Sequence, residues 1–293
     1  MIENYLLEEL VAFKKYGTLA ATAQHLLVTQ PTVTRGMQKL EDEFGVQIFD
    51  RQPNRITLTK TGELAAKGAQ KVIDQNNQLI ETVKKYDYNH KNITVGSVAP
   101  GPLILLEKIQ SSKLADTNLD LDHKLMDTKD VSGKLLNHDY SFILTNQELM
   151  TDKIESLYIG TERLSVNLNQ FTLLANKKSV SFNDLKGLSF IVLSDIGVWK
   201  KVAEGKIPDA KFLYQEQREA FSEITKYSDF PYFTTNISKI NPDDNFSDHD
   251  QINVPISDES SKMDFYAAYL KTNQKQVASV LKTMSSSWSK YLN

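Results

Sequence analysis

Apolar residues recur at helical spacing through the first part of the chain, in short segments that begin with capping residues. Thr18 precedes a segment in which Leu19, Ala23 and Leu26 recur at this spacing, so we expect a helix to begin there. A second capping threonine, Thr29, opens a longer segment. Its apolar residues fall at i, i+4, i+7 and i+11, and they are Val33, Met37, Leu40 and Phe44. The pattern predicts two helices that are joined by a short turn and cross steeply.

A short hairpin is predicted directly after these helices. Gly45 can end the second helix in a left-handed conformation, and Ile48-Phe49 then lead into a strand. The return strand is Arg55 to Leu58, and residues 50–54 form the tip of the hairpin. Steeply crossed helices followed by a hairpin are the elements of a winged helix-turn-helix, in which the hairpin is the wing. The alternative is a purely structural helical hairpin with ordinary solvated Arg and Lys side chains.

The polar face of the second helix has the chemistry that contacts in a DNA major groove need. Short hydroxyl and amide groups near its N-terminus suit base edges and phosphates, and a long cation lies beside them. Gln30 and Arg35 are the first candidates for such contacts, and the two wing arginines suit the backbone or the minor groove. Pro31 costs no interior hydrogen bond, and the N–H groups of that turn can meet a phosphate. The predicted DNA-binding residues are Thr29, Gln30, Pro31, Thr32, Thr34, Arg35, Gln38, Lys39, Arg51 and Arg55.

Many of these residues also carry a resemblance to a known family. The matching positions are Ala23, Leu26, Val28-Thr29-Gln30-Pro31, Thr34-Arg35, Lys39-Leu40-Glu41, Phe44-Gly45-Val46, Ile48-Phe49, Arg51, Leu58-Thr59 and Gly62. In this order they resemble the DNA-binding half of a LysR-type transcriptional regulator, over residues 1 to about 88. Two positions depart from the family. Ala21 stands where an Arg is usual, and Gly36 replaces a polar residue of the recognition helix.

The resemblance implies a fold and a function for the whole chain. The fold is α plus α/β, with an N-terminal winged helix-turn-helix, a long linker helix for dimerisation and a two-lobed α/β effector-binding domain similar to periplasmic solute-binding proteins. The function is sequence-specific binding to double-stranded promoter DNA by a homodimer or homotetramer, as a transcriptional regulator and not as an enzyme. A small-molecule effector in the cleft between the lobes would alter DNA bending and the access of RNA polymerase.

A proline-free segment from Thr59 to about Tyr86 carries one narrow apolar stripe. Spacings of four, four, seven and four residues make it a heptad-like seam of Leu64, Gly68, Val72, Leu79 and Val83. Pairing with the same helix of a second chain would cover this seam, whereas the alternative is a helix folded back on its own domain. We expect residues 1–58 to be the DNA-binding domain and residues 59–88 to be the linker helix.

In residues 89–293, strands alternate with helices after a polar run at 86–92 that we interpret as a hinge. Such alternation is typical of a parallel sheet covered on both faces. We expect lobe I to comprise about 91–160 and 264–293, and lobe II about 161–263. The predicted strands are Ile93 to Val98, Leu119 to Met126, Tyr140 to Leu144, Leu164 to Leu168, Phe190 to Leu193, Phe212 to Tyr214, Tyr232 to Thr235 and Asp264 to Leu270. The predicted helices are Pro102 to Ser111, Asp130 to Leu136, Phe182 to Leu185, Val198 to Glu204, Ala220 to Tyr227 and Lys275 to Tyr291.

In open parallel sheets a ligand lies at the carboxyl ends of the strands, here in the cleft between the lobes. By that rule the predicted cleft residues are Ser97, Ala99, Pro100, Thr145, Asn146, Ser194, Asp195 and Phe230. Ser97 either offers its hydroxyl to an anion or caps the following helix. Asp195 opposes a strongly anionic ligand. Residues 224–240 lack the glycine-rich turn that is usual in the family, which points to an altered or closed pocket.

Composition gives no global signature of nucleic-acid binding. The 293 residues are 40% hydrophobic and 24% charged with a net charge of -3, which is ordinary globular usage. Residues 1–90 hold eleven Lys or Arg and eleven Asp or Glu, so attraction to DNA has to come from the placement of charge. We expect Glu3, Glu8 and Glu9 to lie on the first helix away from DNA, with Arg35, Lys39, Arg51, Arg55 and Lys60 on the other side.

Several other classes of protein are excluded because the sequence lacks their characteristic residues or motifs. The sequence has no cysteine, which excludes disulfides, thiolate catalysis and cysteine-based metal sites. It has no nucleophile elbow, P-loop, dinucleotide fingerprint or His-Glu-Xaa-Xaa-His motif, and Asp248-His249-Asp250 is more simply a solvated acidic loop than a metal site. No apolar run approaches the ~20 residues that span a bilayer, and the N-terminus lacks the pattern of a signal peptide. We therefore expect a cytoplasmic protein with no membrane partner, no metal and no cofactor.

Two other functions stay open at this point. One is a solute-binding or enzymatic two-lobed α/β protein with an accessory helical domain. The other is a regulator that has lost its ligand and binds DNA constitutively.

Overall fold

The computed structural model describes residues 1–53, 55–240 and 251–292, which form two compact units, Met1–Lys84 and Lys85–Asn293. Two sequence predictions lie outside the described residues, namely the place of Asn54 in the wing tip and the acidic loop at Asp248-His249-Asp250. None of the helices in the described ranges is both long and apolar enough to cross a membrane.

The first unit consists of three short helices, a two-stranded wing and the first part of a long helix. The elements are α1 (Asn4–Tyr16), α2 (Leu19–Leu26), α3 (Gln30–Phe44), β1 (Phe49–Gln52), β2 (Arg55–Leu58) and α4 (Lys60–Lys91). Thr18 caps α2 by accepting from the backbone N–H of Ala21 at 3.1 Å, and α3 ends at Gly45 with a left-handed φ of 67°. The capping threonine and the terminal glycine thus predicted the start of α2 and the end of α3 correctly.

Two predictions within this unit are wrong in detail. Residues 50–52 belong to β1, where Gln52 pairs with Arg55, so the wing tip is shorter than the predicted loop. Phe44 does not continue the buried stripe of α3 because the side chain is 37% exposed at the end of the helix. Val33, Met37 and Leu40 are fully buried against α1 and α2, as the spacing predicted.

The polar run that we interpreted as a hinge is helical, because α4 continues to Lys91. The last turns of α4 are held by side chains rather than by an apolar face. Asn89 donates to the backbone carbonyl of His138 at 2.7 Å and accepts from Thr94 at 2.7 Å, and Lys91 pairs with Asp87 one turn earlier. A polar helix end of this kind depends on tertiary partners, which the sequence pattern does not display.

The second unit is a two-lobed α/β structure around one mixed sheet with the strand order β4-β3-β5-β11-β6-β9-β7-β8, and β10 also pairs with β6. Its strands are β3 (Ile93–Ser97), β4 (Leu119–Leu121), β5 (Phe142–Thr145), β6 (Ile154–Asn169), β7 (Ser189–Leu193), β8 (Lys211–Gln215), β9 (Tyr232–Thr235), β10 (Gln251–Pro255) and β11 (Lys262–Leu270). Its helices are α5 (Pro100–Lys113), α6 (Val131–Leu136), α7 (Trp199–Lys206), α8 (Arg218–Tyr227) and α9 (Gln274–Leu292).

The sheet is parallel only toward its two ends. β3 pairs in parallel with β4 and β5, and β7 pairs in parallel with β8 and β9, whereas the central strands β6 and β11 run antiparallel to their neighbours. Each end has its own apolar core. One core contains Phe142, Phe265 and Trp288, and the other contains Phe190 and Trp199. The expectation of a wholly parallel sheet is therefore corrected, while the two-lobed α/β class is confirmed.

Several elements differ from the predicted ones. Phe182 to Leu185 forms a series of turns instead of a helix, because Asp184 accepts from both the backbone N–H and the hydroxyl of Ser181 and closes a local turn. The predicted strand at 119–126 ends at Leu121. The first half of β6 was not predicted, since Glu155, Glu162 and Arg163 interrupt its apolar pattern.

Candidate functional site

The N-terminal end of α3 is organised by three threonines. The hydroxyl of Thr29 accepts from the backbone N–H of Thr32 at 3.4 Å and lies 2.9 Å from the hydroxyl of Thr32. Thr34 donates to the backbone carbonyl of Gln30 at 3.0 Å. These bonds stabilise the first turn of the helix and leave the side chains at the surface. All eight α3 residues predicted to bind DNA, counting the capping Thr29, are exposed.

Arg51 is held in the wing by an ion pair with Glu41 of α3. The distance from Arg51 Nη1 to Glu41 Oε2 is 2.8 Å, and Glu41 Oε1 accepts the backbone N–H groups of Ile48 and Phe49 at 2.9 Å each. Glu41 is buried, so this one carboxylate ties the recognition helix to the start of the wing. We assigned no role to Glu41 from the sequence, where it is simply an acidic residue beside the buried Leu40.

An open cleft of about 740 Å³ joins the beginning of α2, the outer face of α3 and the wing. It gathers four of the predicted DNA-binding residues, which are Gln30, Thr34, Arg51 and Arg55. The other cleft-lining residues were not predicted, and they are Gly17, Thr18, Leu19, Ala20, Met37, Gln52, Pro53 and Ile56. The start of α2 adds a helix N-terminus, whose dipole and N–H groups favour an anion. The remaining predicted residues are exposed but do not line this cleft.

The predicted separation of acidic and basic residues is wrong at two positions. Lys39 donates to Glu3 at 2.9 Å, and this ion pair raises the pKa of Lys39 and lowers the pKa of Glu3. Glu3 therefore does not lie away from the basic side of α3. Glu9 is not on a solvated surface either, because its side chain is buried between α1 and α3.

Gly36 departs from the family pattern for a reason that lies in this packing. A Cβ atom at Gly36 would lie 1.7 Å from Glu9 Oε2, so only glycine leaves room for the buried carboxyl. Among the described residues, Glu9 Oε2 has no hydrogen-bond partner, and burial raises the pKa of Glu9 to about 7. The two residues are 27 positions apart along the chain, and the sequence gives no sign of the contact.

Comparisons with known proteins agree with this geometry. The model of the family described as "Bacterial regulatory helix-turn-helix protein, lysR family" matches residues 5–63. The probable RuBisCO transcriptional regulator of Emiliania huxleyi is 22% identical over 198 residues, which are 65% of this chain and 62% of that protein. The hydrogen peroxide-inducible genes activator of Haemophilus influenzae is 24% identical over 201 residues, with 64% of each protein covered. Residues 5–63 thus match a helix-turn-helix domain of the LysR type.

A solved structure is similar to this chain in overall fold. The crystal structure of Vibrio fischeri DarR in complex with DNA matches with a TM-score of 0.64 at 16% identity, over 96% of this chain and 98% of that chain. The chain spans less than two thirds of the length of the curated relatives it matches first, which is 62%, 60% and 60% of those proteins. The two relatives named above are described as a transcriptional regulator and a genes activator.

In the second unit, the end of β3 is covered by a segment of the second lobe. The backbone N–H of Val198 donates to the carbonyl of Val98 at 3.2 Å, and a Cβ atom at Gly197 would lie 2.1 Å from the same carbonyl oxygen. Ser97 is buried below this contact, and its hydroxyl donates to the carbonyl of Ala99 at 2.6 Å. Ser97 does not cap the following helix as predicted, because the N-cap of α5 is Ala99 and the hydroxyl of Ser97 bonds the backbone of that residue.

The structure brings two of the eight predicted cleft residues together in one cavity. Pro100 and Asp195 line cavities, as described below. Among the residues that the structure describes, the others line neither of those cavities, and they are Ser97, Ala99, Thr145, Asn146, Ser194 and Phe230. Thr145 is buried, Asn146 accepts from Thr128 at 3.0 Å, the backbone N–H of Ser194 donates to the carbonyl of Gln215, and Phe230 is exposed.

Two cavities flank the beginning of α5. The smaller has a volume of about 110 Å³ and an apolar lining, with Glu162, Trp199 and Thr235 among its walls. The larger has a volume of about 210 Å³ and a polar lining that includes His123, Asp195 and Arg218. No group of three His, Cys, Asp or Glu side chains suited to a metal ion occurs in the described part of the chain.

Glu162 and Trp199 are the cavity residues that sequence reasoning missed. Glu162 is 2% exposed, and its Oε2 accepts from Trp199 Nε1 at 3.0 Å. Burial raises the pKa of Glu162, whereas the hydrogen bonds from Trp199 and Thr235 lower it. From sequence alone, a glutamate within a strand is expected to face solvent. The burial of Glu162 becomes visible only when β6 and its neighbours in the second lobe are seen together.

Proposed function

We propose that this protein is a sequence-specific transcriptional regulator that binds double-stranded promoter DNA in the cytoplasm. The single observation that carries the proposal is the cleft of the first unit, where Gln30, Thr34, Arg51 and Arg55 meet the beginning of α2. The family match over residues 5–63 supports the same function. An enzyme or a solute-binding protein would have no use for this surface.

In this proposal, α3 enters the major groove with its N-terminal residues toward the base edges. Gln30 is suited to adenine because its amide offers one donor and one acceptor, and Arg35 is suited to guanine or phosphate because its guanidinium offers two donors side by side. Arg51 and Arg55 contact the backbone or the adjacent minor groove. The ion pair with Glu41 holds Arg51 before DNA arrives, which lowers the entropic cost of ordering this side chain.

A second copy of the chain covers the exposed stripe of α4. Leu64, Leu79 and Val83 are 72%, 62% and 60% exposed, while Ala66 and Ala69 on another face of the helix are buried in their own domain. The helix therefore uses one face for its own core and leaves the heptad-like seam free for pairing. Two such seams pack against each other, so the dimer presents two recognition helices to a partly palindromic site.

We further propose that residues 1–58, 59–88 and 89–293 act as DNA-binding domain, linker helix and effector-binding domain. A small molecule in the second unit changes how the DNA-binding pairs are placed, which alters DNA bending and the access of RNA polymerase. The apolar cavity beside α5 supports this part of the proposal, since it contains a buried, titratable side chain.

The test is selection of bound sequences from random duplexes by the full chain at two salt concentrations. Enrichment of an inverted repeat, with affinity that falls steeply as salt rises, is the expected result. Arg35→Ala should weaken binding at least tenfold, whereas Arg163→Ala removes the same charge from the second unit and should leave binding unchanged. If the full chain enriches no sequence, or if both variants bind like wild type, the proposal is wrong.

A further inference from the structure

We propose that Glu9 is a positioning residue for the recognition helix α3, and that the chain binds DNA tightly only while this carboxyl group is protonated. The inference rests on the proposed function, and it adds a residue that controls how α3 is presented without itself contacting DNA. It depends on three observations, namely the burial of Glu9 against α3, the glycine opposite its carboxyl group, and the unsatisfied oxygen of that group.

The carboxyl group of Glu9 lies directly against the backbone of the recognition helix. The side chain is 4% exposed, and a Cβ atom at Gly36 of α3 would lie 1.7 Å from its Oε2. Arg35 immediately precedes Gly36, is exposed, and is a predicted DNA contact. A change in the separation of α1 and α3 at this level therefore moves Arg35 relative to the rest of the DNA-binding surface.

No neighbouring group in the described part of the first unit compensates a charge on Glu9. Its Oε2 has no hydrogen-bond partner there, and burial alone raises its pKa to about 7. Tyr5, one turn earlier on α1, is exposed and lies under the ammonium group of Lys39. Other titratable groups of the surrounding helices interact elsewhere, in the pairs Glu8 with Asn4, His25 with Tyr16, Lys39 with Glu3, and Glu63 with Lys14.

The two protonation states of Glu9 make different demands on the contact between α1 and α3. A neutral carboxyl group is tolerated in this interface, whereas a carboxylate without a partner loses its hydration there. Because Gly36 lies against the carboxyl group, the charged form regains water only if the two helices separate. Protonation thus favours the observed position of α3, and ionisation favours a displaced one.

The affinity for DNA depends on how many chains hold α3 in the observed position. DNA binds where α2, α3 and the wing form one cleft, so the apparent Kd is the intrinsic Kd divided by the fraction of chains in that arrangement. With a pKa of about 7, the fraction of neutral Glu9 falls from about 0.9 at pH 6 to about 0.1 at pH 8. If the ionised chain does not bind, the Kd for DNA rises about tenfold over this range. DNA binding then takes up a proton above pH 7.

The experiment measures the Kd of the full chain for one labelled duplex between pH 6 and pH 8 at constant salt, by fluorescence anisotropy. The duplex is the one that the full chain enriches from random duplexes at pH 6. We expect the Kd of wild type to rise between about threefold and tenfold over this range. Far-UV circular dichroism is recorded at each pH, and loss of the helical signal at pH 8 would overturn the inference, because unfolding would then explain the weaker binding.

Variants separate the protonation of Glu9 from its place in the packing. Glu9→Gln keeps the shape of the neutral side chain, so at pH 8 it should bind the duplex about as tightly as wild type does at pH 6. Glu8→Gln makes the same change at an exposed position and should keep the pH profile of wild type. A merely structural role for Glu9 predicts instead that Glu9→Gln changes the affinity by the same factor at every pH.

A second pair of variants tests the contact with Gly36. Gly36→Ala should weaken binding at least threefold at pH 6, because the added methyl group meets the carboxyl group of Glu9. Glu9→Ala makes room for that methyl group, so adding Gly36→Ala to Glu9→Ala should change the Kd less than twofold. An equal loss in both backgrounds would overturn the role of this contact.

The pH profile also distinguishes this inference from the proposed function. A duplex that wild type binds equally well at pH 6 and pH 8, or parallel profiles of wild type and Glu9→Gln, would refute the inference and leave DNA binding intact. A wild-type chain that enriches no duplex at pH 6 would refute the proposed function, and the inference with it.

Discussion

Glu9 makes the stability of the first unit depend on pH in an unusual direction. The side chain is 4% exposed, and burial raises its pKa to about 7 from the ordinary value of 4.5. An acid with a raised pKa binds more protons in the folded state than in the unfolded state. The stability it contributes is therefore fully present below pH 4.5, is lost as the pH rises to about 7, and is constant above that.

The size of the effect follows from the change in pKa. One pKa unit corresponds to about 1.4 kcal/mol, so ionisation of Glu9 in the folded protein costs about 3 kcal/mol in full. Between pH 5 and pH 8 the loss is about 2 to 3 kcal/mol, because the unfolded side chain is already largely ionised at pH 5. Glu9→Gln keeps the shape of the side chain and removes the titration. The free energy of unfolding of this variant, relative to wild type, should rise by that amount over the same range.

The assay is urea unfolding of the full chain at several pH values, followed by far-UV circular dichroism. Both tryptophans lie in the second unit, so their fluorescence follows that unit separately and should not respond to Glu9→Gln. Glu8→Gln is the matched control. Glu8 is the exposed neighbour that accepts from Asn4 at 2.7 Å, and its substitution should leave the pH dependence unchanged. If Glu9→Gln and wild type differ by the same amount at pH 5 and pH 8, the burial argument is refuted.

Three further predictions concern the first unit and the linker helix. Gly36→Ala should lower the free energy of unfolding by about 1 to 3 kcal/mol because its Cβ meets the buried carboxyl of α1, and an unchanged midpoint in the same denaturation assay would contradict this contact. Glu41→Ala should cost about 2 to 3 kcal/mol, since it leaves two backbone N–H groups at the start of the wing without their acceptor, and an unchanged midpoint would contradict this role. Leu79→Asp should shift the chain from dimer to monomer in sedimentation at micromolar concentration, while Asn77→Asp should not, and a dimer in both variants would exclude the α4 seam.

Local signals in the sequence were sufficient for much of the DNA-binding half. Thr18, Thr29 and Gly45 mark helix ends through hydrogen bonds and backbone angles within a few residues, and the structure confirms each of them. The buried stripe of Val33, Met37 and Leu40 follows from the helical period alone. The predicted LysR-type helix-turn-helix is confirmed over residues 5–63, because its residues keep a fixed order over a short segment. The individual DNA contacts stay predictions.

The second half was predicted less completely because its sheet depends on distant partners. The apolar pattern of strand β6 is interrupted by charged residues, because the strand runs through both lobes. Neighbours on other strands determine whether each of these charged residues is buried or exposed. Strand β10 was not predicted for the same reason, because its partners are the distant strand β6 and Val180. The polar end of α4 is helical through contacts of Asn89 that are remote in sequence.

The sequence by itself determined the class of this protein, the ends of its short helices and the exposed polar face of α3, because these depend on interactions within three or four residues. Only the tertiary structure decided that Glu9 lies under Gly36, that Lys39 is paired with Glu3, and that Glu162 meets Trp199 at a cavity. It also decided that the backbone of Val198 contacts the carbonyl of Val98 after the end of β3. Each of these contacts joins residues that are far apart along the chain, and the burial or charge of a side chain is set by neighbours that no local pattern contains.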